Sequence, residues 1–350
     1  MPSALVNRVR LNYVRLGDEG EPPREDLVMI HGLATNMAFW YFKYAPEFVK
    51  QFRVTLFDLR GHGRSDMPTG GYAPPNLARD LAGLLDHLGI ERAHVLAHSF
   101  GGVVAMNLAC LEPGRVRSLV LADTHIAAVR HVETPREWAY GRAIQPMLDR
   151  HGLDLDTHDP YFGYKLLTRV ALWQFHGDSV PGDLVDLVSP LVGSTVSRTA
   201  AQWLKLMEST SANVELMGDD GLTLDRLRAF RFPILAMYGD NSQARLTGSE
   251  LLGVWPHAVF RRVRDAGHFF PVSRAEEVIS GCRRFWRGEL DGTRAQRVGE
   301  PRRSYFRSDR VFRADGAWYF TTREKARVGP FAAYEEACEV LHREMRALQA

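Results

Sequence analysis

The chain has 350 residues, of which 45% are apolar and 25% charged, so it can bury a large core and is neither disordered nor fibrous. A formal charge of +2 gives no global drive toward nucleic acid, and three widely separated cysteines, Cys110, Cys282 and Cys338, build neither a disulfide framework nor a zinc cluster and read as free, mostly buried thiols. The first residues lack a basic segment followed by an apolar core, and no apolar run is long enough for a bilayer, so a cytoplasmic location is expected.

Residues 6–16 alternate Val9, Leu11 and Tyr13 and end in Gly17-Asp18-Glu19-Gly20, which predicts a strand or hairpin closed by a polar turn. Residues 27–30 form a short buried strand that runs into His31-Gly32-Leu33. A glycine there frees the backbone to point an N–H group into a cleft. Residues 53–57 are the next strand, followed by the tight loop Asp58-Leu-Arg-Gly61-His-Gly63-Arg-Ser65-Asp66, and the leucines of residues 76–88 recur at helical intervals. That glycine loop is no dinucleotide fingerprint, because a third Gly is missing and no helix opens on it.

The chain is organised around residues 94–106, in which an apolar strand ends at Ala97-His98-Ser99-Phe100-Gly101 and a helix starts at once. The turn of a nucleophile elbow is so tight that positions two before and two after the Ser cannot carry bulk. Ala97 and Gly101 meet that demand, with Ala97 standing where glycine is usual. Ser99 as a simple helix N-cap is the structural alternative, but a cap needs no small residues on both sides. Further strands are predicted at residues 118–122, ending at Asp123, at 233–238 and at 258–263, the last followed by Gly267-His268 and a closing helix over 276–286. More than 100 residues separate the strand at 118–122 from that at 233–238. The stretch is helical in pattern and carries Trp138, Tyr140, Tyr161, Phe162, Tyr164, Trp173, Phe175 and Trp203, as a cap over a strand end would. Alternating strands and helices predict an α/β protein whose mostly parallel sheet is flanked by helices and carries its site at the carboxyl ends of the strands.

Strand-His31-Gly32, Asp58-x-Arg-Gly-His-Gly-x-Ser65, Ala97-His-Ser99-Phe-Gly101 and Gly267-His268, in this order, resemble the α/β-hydrolase fold over roughly residues 6–288. The resemblance implies that Ser99 is the nucleophile and His268 its general base, with the backbone N–H groups of Leu33 and Phe100 as oxyanion hole. Family members often place the acid in the form Gly-x-x-Asp after the strand ending at Tyr238. Here that stretch is Gly239-Asp240-Asn241-Ser242, with a Ser at the expected place. Two carboxylates remain candidates: Asp123, favoured because it ends the strand after the elbow helix, and Asp240, two residues early in the usual loop. A helix cap or loop anchor is the plain structural reading of Asp123. His31, Trp138, Trp173 and Phe269 are the expected substrate-pocket residues.

A Ser at the elbow excludes the alkyl-ester route of epoxide hydrolases and haloalkane dehalogenases, which needs a carboxylate nucleophile. What the resemblance leaves is hydrolysis of a carboxylic ester or thioester of a moderately hydrophobic acyl group through a Ser99 acyl-enzyme. C–C bond cleavage of a diketone-like substrate is the alternative, and a non-catalytic receptor or scaffold a further one. No metal or organic cofactor is indicated, since no ligand spacing or phosphate-cradling loop is present.

The expected organisation is a hydrolase core at 1–124 and 232–288, a helical cap at 125–231, an Arg-rich linker at 289–308 and a small ββα module at 309–350, with a hairpin turning at Asp315-Gly316 and a helix over 334–348. The module resembles short uncharacterised bacterial modules with a Trp-Tyr-Phe-Thr-Thr-Arg strand and a Gly-Pro-Phe turn, which implies no chemistry. The arginines suit docking of an acidic partner such as a carrier protein, while a stability element with water-facing arginines is the favoured reading.

Overall fold

The computed structural model describes residues 2–17, 24–129, 138–159, 161–178, 181–184, 196–290, 311–314, 317–320, 327–332, 336–337 and 340. The chain divides into two units, Met1–Arg297 and Val298–Ala350.

The described residues of the larger unit carry an eight-stranded sheet in the order β1-β2-β4-β3-β5-β6-β7-β8. The strands are β1 Ser3–Val6, β2 Val9–Leu16, β3 Glu25–Ile30, β4 Phe52–Phe57, β5 Ala93–His98, β6 Val116–Ala122, β7 Ile234–Gly239 and β8 Val259–Val263. β1 and β2 form a hairpin on Asn7 and Arg8, both at positive φ, 47° and 64°, which matches the twist of the strands it joins. β2 meets β4 antiparallel, and from β4 through β3, β5, β6 and β7 to β8 every pairing is parallel.

The central strands are continuous apolar runs because both faces are covered. Alternate residues go to opposite cores. Val28, Ile30, Val95, Ala97, Leu119 and Leu121 pack with the helices Pro74–His87 and Phe100–Leu111, while Leu27, Met29, Leu96, Val120 and Ala122 pack with the helix Ala275–Trp286. The helix Arg245–Val254, between β7 and β8, was not legible in the sequence because Gly248, Gly253 and Thr247 dilute its helical propensity.

Between β6 and β7 lie the helices Ala139–Arg150, Phe162–His176, Val196–Ser209, Ala212–Glu215 and Leu224–Arg228. They enclose two small cores of their own, one around Trp138, Leu148, Phe162 and Leu166, the other around Trp203, Leu206 and Tyr72. The Glu215 carboxylate fastens the second to the loop before residue 74, accepting from Gly71 N at 3.1 Å and Ala73 N at 2.9 Å. Those hydrogen bonds, with that of Ser211, hold it below the ordinary Glu range against the opposing effect of burial. No helix among the described residues is long and apolar enough to cross a membrane.

In the smaller unit, β9 Val311–Ala314, β10 Ala317–Phe320 and β11 Val328–Phe331 form an antiparallel sheet in the order β11-β10-β9. β11 adds a strand to the predicted hairpin, over the residues expected to turn at Gly329-Pro330-Phe331. Proline is tolerated there because β11 is an edge strand. Phe320 is buried with Ala337 and stacks on Phe331, and the Arg327 guanidinium lies 3.6 Å over the Tyr319 ring. The Asp315-Gly316 turn, Cys338, most of the predicted 334–348 helix and all but residues 289 and 290 of the Arg-rich linker lie outside the described residues. The expectation of an acidic partner therefore rests on sequence alone.

Candidate active site

β5 ends at His98, and Ser99 follows with φ 54° and ψ −125°, a conformation that L-residues adopt only where the surroundings impose it. Two features impose it here. Ser99 N donates to Ala122 O at 2.9 Å, tying the turn to β6, and the helix Phe100–Leu111 starts without an intervening residue. Gly101 lets that helix approach β3 closely, since a Cβ there would lie 2.6 Å from His31 O and 2.7 Å from Ile30 O. Gly32 presses equally against the elbow, with a Cβ position 3.0 Å from Ser99 Cβ. Leu33 and Phe100 consequently both reach the cavity beside Ser99. The N–H of Phe100 is among the first four of its helix, which have no intrahelical acceptor.

His268, in the loop after β8, has its Nε2 2.9 Å from Ser99 Oγ and its Nδ1 2.7 Å from Asp123 Oδ2. Asp123 is fully buried and stands at φ 57° at the end of β6. Its carboxylate is held from both sides, since Oδ1 accepts from Gly239 N at 2.9 Å and Oδ2 also accepts a short hydrogen bond from Ser242 Oγ. Asp240 is engaged elsewhere. Its carboxylate pairs closely with Arg262, and its N–H donates to Val263 O at 3.0 Å.

The histidine before Ser99 contributes to the geometry from behind the reacting atoms, as a supporting and packing residue. His98 Nε2 donates to the backbone oxygen of His268 at 3.0 Å, so the residue preceding the elbow steadies the loop that carries the imidazole. His98 is buried against Phe39 and the His268 ring, and burial drives it well below the ordinary His range, which keeps it neutral.

The Ser99 hydroxyl opens onto a cavity of about 580 Å³. Trp138, Tyr140, Tyr161, Phe162 and Tyr164 of the inserted segment form one wall, and Phe269 and His268 form part of the other. Two expected pocket residues lie elsewhere. His31 is buried beneath the site, where its Nε2 accepts from Leu59 N at 3.1 Å and its Nδ1 contacts Gly32 O at 2.7 Å, so both ring nitrogens are used to anchor loops. Trp173 packs in the cap core around Leu166 and Phe162. The sequence marked His31 as part of a motif and Trp173 as a large side chain of the cap, but could not show which way they face. Ser242 was visible only as the residue standing in the usual place of the acid, and its spacing from Gly239 was the available signal.

A hydroxyl, an imidazole and a buried carboxylate in line, beside a helix N-terminus, can transfer the hydroxyl proton to the imidazole while the carboxylate fixes its tautomer. Residues 27–157 match a family model described as alpha/beta hydrolase fold, and residues 296–350 one described as a domain of unknown function, DUF6316. The chain is 40% identical over 111 residues to the dihydrolipoyllysine-residue acetyltransferase component of the acetoin cleaving system of Pseudomonas putida, covering 32% of this chain and 29% of that protein. It is 35% identical over 116 residues to 3-oxoadipate enol-lactonase 2 of Acinetobacter baylyi, covering 33% of this chain and 42% of that one. The matched segment thus spans less than half the length of either relative. The enol-lactonase structure from Burkholderia xenovorans LB400 superposes with a TM-score of 0.56 at 23% identity, over 82% of this chain and 100% of that one. Naproxen esterase from Bacillus subtilis gives 0.60 at 18%, over 81% and 90%. At such identities the structural likeness is one of fold, and together with the sheet order, the elbow and the match over residues 27–157 it shows that residues of the larger unit have the α/β-hydrolase fold.

Proposed function

We propose that the chain is a serine hydrolase that cleaves a carboxylic ester or thioester of a moderately hydrophobic acyl group. The observation that carries the reading is the position of His268, 2.9 Å from Ser99 Oγ and 2.7 Å from Asp123 Oδ2, at the wall of an aromatic cavity. In this mechanism His268 Nε2 takes the proton of Ser99 as Oγ attacks the acyl carbonyl, and Asp123 stabilises the imidazolium through Nδ1–H. The N–H groups of Phe100 and Leu33 receive the oxyanion, each such donor contributing about 3 kcal/mol to barrier lowering. Collapse returns the proton to the leaving alcohol or thiol and leaves the acyl-enzyme, which water hydrolyses by the same steps.

The cavity supports the substrate class. About 580 Å³ lined largely by aromatic and aliphatic side chains suits an uncharged, mid-sized acyl group, and residues 125–231 act in this reading as a cap that supplies specificity. Epoxide hydrolases occur among similar proteins, including one from Corynebacterium sp. that is 34% identical over 120 residues. A hydroxyl rather than a carboxylate at position 99 favours the acyl route for this chain.

Labelling by a fluorophosphonate tests the reading. A label on the native protein that is absent from Ser99→Ala, followed by turnover of p-nitrophenyl acyl esters, is expected. A folded native protein that takes no label and hydrolyses none of the esters would overturn it.

A further inference from the structure

A second cavity, of about 460 Å³, lies at the opposite edge of the sheet from Ser99. Arg92 immediately precedes β5, Val116 opens β6 and Pro233 precedes β7, so its walls are built at the amino ends of the strands whose carboxyl ends carry the active site. Along β6 the separation is roughly 20 Å at the usual rise per residue. The floor is apolar and preformed. Phe230 and Phe232 stack at 5.1 Å, Phe230 stacks on Trp255 at 5.9 Å, and Val116 belongs to the same buried core.

The rim is cationic, with Arg92, Arg226 and Arg231 all on the wall and no acidic residue there. None of the three is paired with a carboxylate among the described residues. Arg226 donates to Gly221 O at 2.6 Å, and Arg231 to Arg228 O at 2.5 Å and Phe230 O at 3.1 Å, so neutral carbonyls orient both guanidiniums while their charge stays uncompensated. Nearby carboxylates have closer partners: Asp225 pairs with Arg228, Glu112 with Arg115, and Glu25 with Arg117 and His94, with Arg92 acting on Glu25 only as a more distant charge. Ala109 and Cys110 bring the carboxyl end of the elbow helix to the wall, which contributes about half a negative charge, too little to balance three guanidiniums.

Unpaired guanidiniums around an apolar floor are complementary to an anionic head on an apolar body, because the planar donor fork matches carboxylate and phosphate oxygens. The volume lies within the roughly 300–1,000 Å³ range of small-molecule sites. We propose that this cavity binds an anionic amphiphile, a carboxylate or phosphate carried on a medium-length apolar chain. The assignment is independent of the reading of Ser99.

Cys110 supplies a local reporter, since it is half-buried in this wall, its thiol raised by burial and lowered by Arg226, so protection is read in each protein against its own ligand-free rate; Cys282 is buried and its thiol is pushed up by burial. The experiment is iodoacetamide alkylation of the full chain at mildly alkaline pH, read at Cys110 by mass spectrometry, with decanoate, decyl phosphate or decanol added below their micellar ranges. Decanoate or decyl phosphate is expected to slow Cys110 alkylation in a saturable way, and which of the two acts at lower concentration tells a carboxylate from a phosphate head. Decanol is expected to give no protection, and Arg226→Ala/Arg231→Ala to weaken that of the anions by about tenfold or more, the loss expected for charge-assisted contacts. Continued silence of Cys282 shows that the fold is intact. Arg92→Ala, outside any helix or strand, gives the same direction should the double variant fail to fold. Equal protection by decanol, protection that survives the arginine substitutions, or none from either anion would overturn the proposal.

Discussion

Ser242 and Asp123 stand 119 positions apart, yet the Ser242 hydroxyl donates to the same carboxylate oxygen, Oδ2, that meets His268 Nδ1. Ser242 Oγ in turn accepts from Ala244 N at 3.1 Å, so the loop after β7 fixes the hydroxyl, and the hydroxyl fixes the plane of the carboxylate. The loop after β7 thus holds, through a hydroxyl, the carboxylate at the end of the neighbouring strand.

Removing that hydroxyl leaves the Asp123 anion with one donor fewer in a buried site. A hydrogen bond to a charged group contributes roughly 1.5–3 kcal/mol, so Ser242→Ala is expected to lower kcat on an acyl ester by about tenfold or more. Ser242→Thr, which keeps the hydroxyl, is expected to recover most of the loss. Steady-state kinetics on the three proteins check this, and an unchanged kcat in Ser242→Ala would confine Ser242 to packing.

The two candidate acids separate by mutation. Asp123→Asn keeps the shape but favours the wrong imidazole tautomer, and kcat is expected to fall by about 10³–10⁴-fold. Asp240→Asn loosens only the contact with Arg262 and is expected to stay within a few-fold of the native rate. Parallel ester assays decide, and the reverse pattern would move the acid to Asp240.

Gly101→Ala tests the elbow through stability. The new Cβ would meet two main-chain oxygens at 2.6 and 2.7 Å, and neither β3 nor the helix can shift without disturbing the sheet. The cost is expected to exceed the roughly 1–3 kcal/mol of ordinary overpacking, visible as a lowered urea midpoint or loss of soluble protein. A midpoint equal to that of the native chain would show that the helix can retreat.

Three buried imidazoles set an acid limit on stability. Desolvation lowers His31, partly countered by Asp58, and lowers His62 to about 3, with the nearby His31 adding to it and the Arg60 carbonyl opposing. His98 is lowered well below its usual value by desolvation and then by His268. A histidine whose folded value lies below its unfolded 6.5 binds more protons unfolded than folded between the two values. Stability is therefore full above about pH 6.5 and declines as pH falls below it, by up to about 1.4 kcal/mol per pH unit for each group. Urea unfolding at about pH 7.5 and about pH 5 is expected to differ by several kcal/mol, in a range where ordinary carboxylates are still ionised. Equal midpoints would mean that these rings do not have to take up protons on unfolding.

The strands of the larger unit along the chain, the position of the elbow and the length of the insertion were legible from the sequence, because they are written in local patterns, whereas the order of strands in the sheet was not. Apolar runs mark strands buried on both faces, and Ala97 and Gly101 mark a turn where the chain cannot carry bulk. The choice between Asp123 and Asp240 was not legible, because it depends on which way two side chains point from adjacent strand ends. β6 and β7 pair in parallel with Ala122 opposite Met237, which brings Asp123 to the Ser242 loop, while Arg262 of β8 draws Asp240 aside. The pocket walls were mixed for the same reason. Helical spacing identified Trp138 and Trp173 equally as large side chains of the cap, and only tertiary packing showed that both join the cap's own core while Trp138 also reaches the cavity beside Ser99. Local sequence fixes backbone conformation through short-range sterics and burial periodicity. The direction of a functional side chain follows from contacts with residues more than 100 positions away, as Asp123 is fixed by Gly239 and His268.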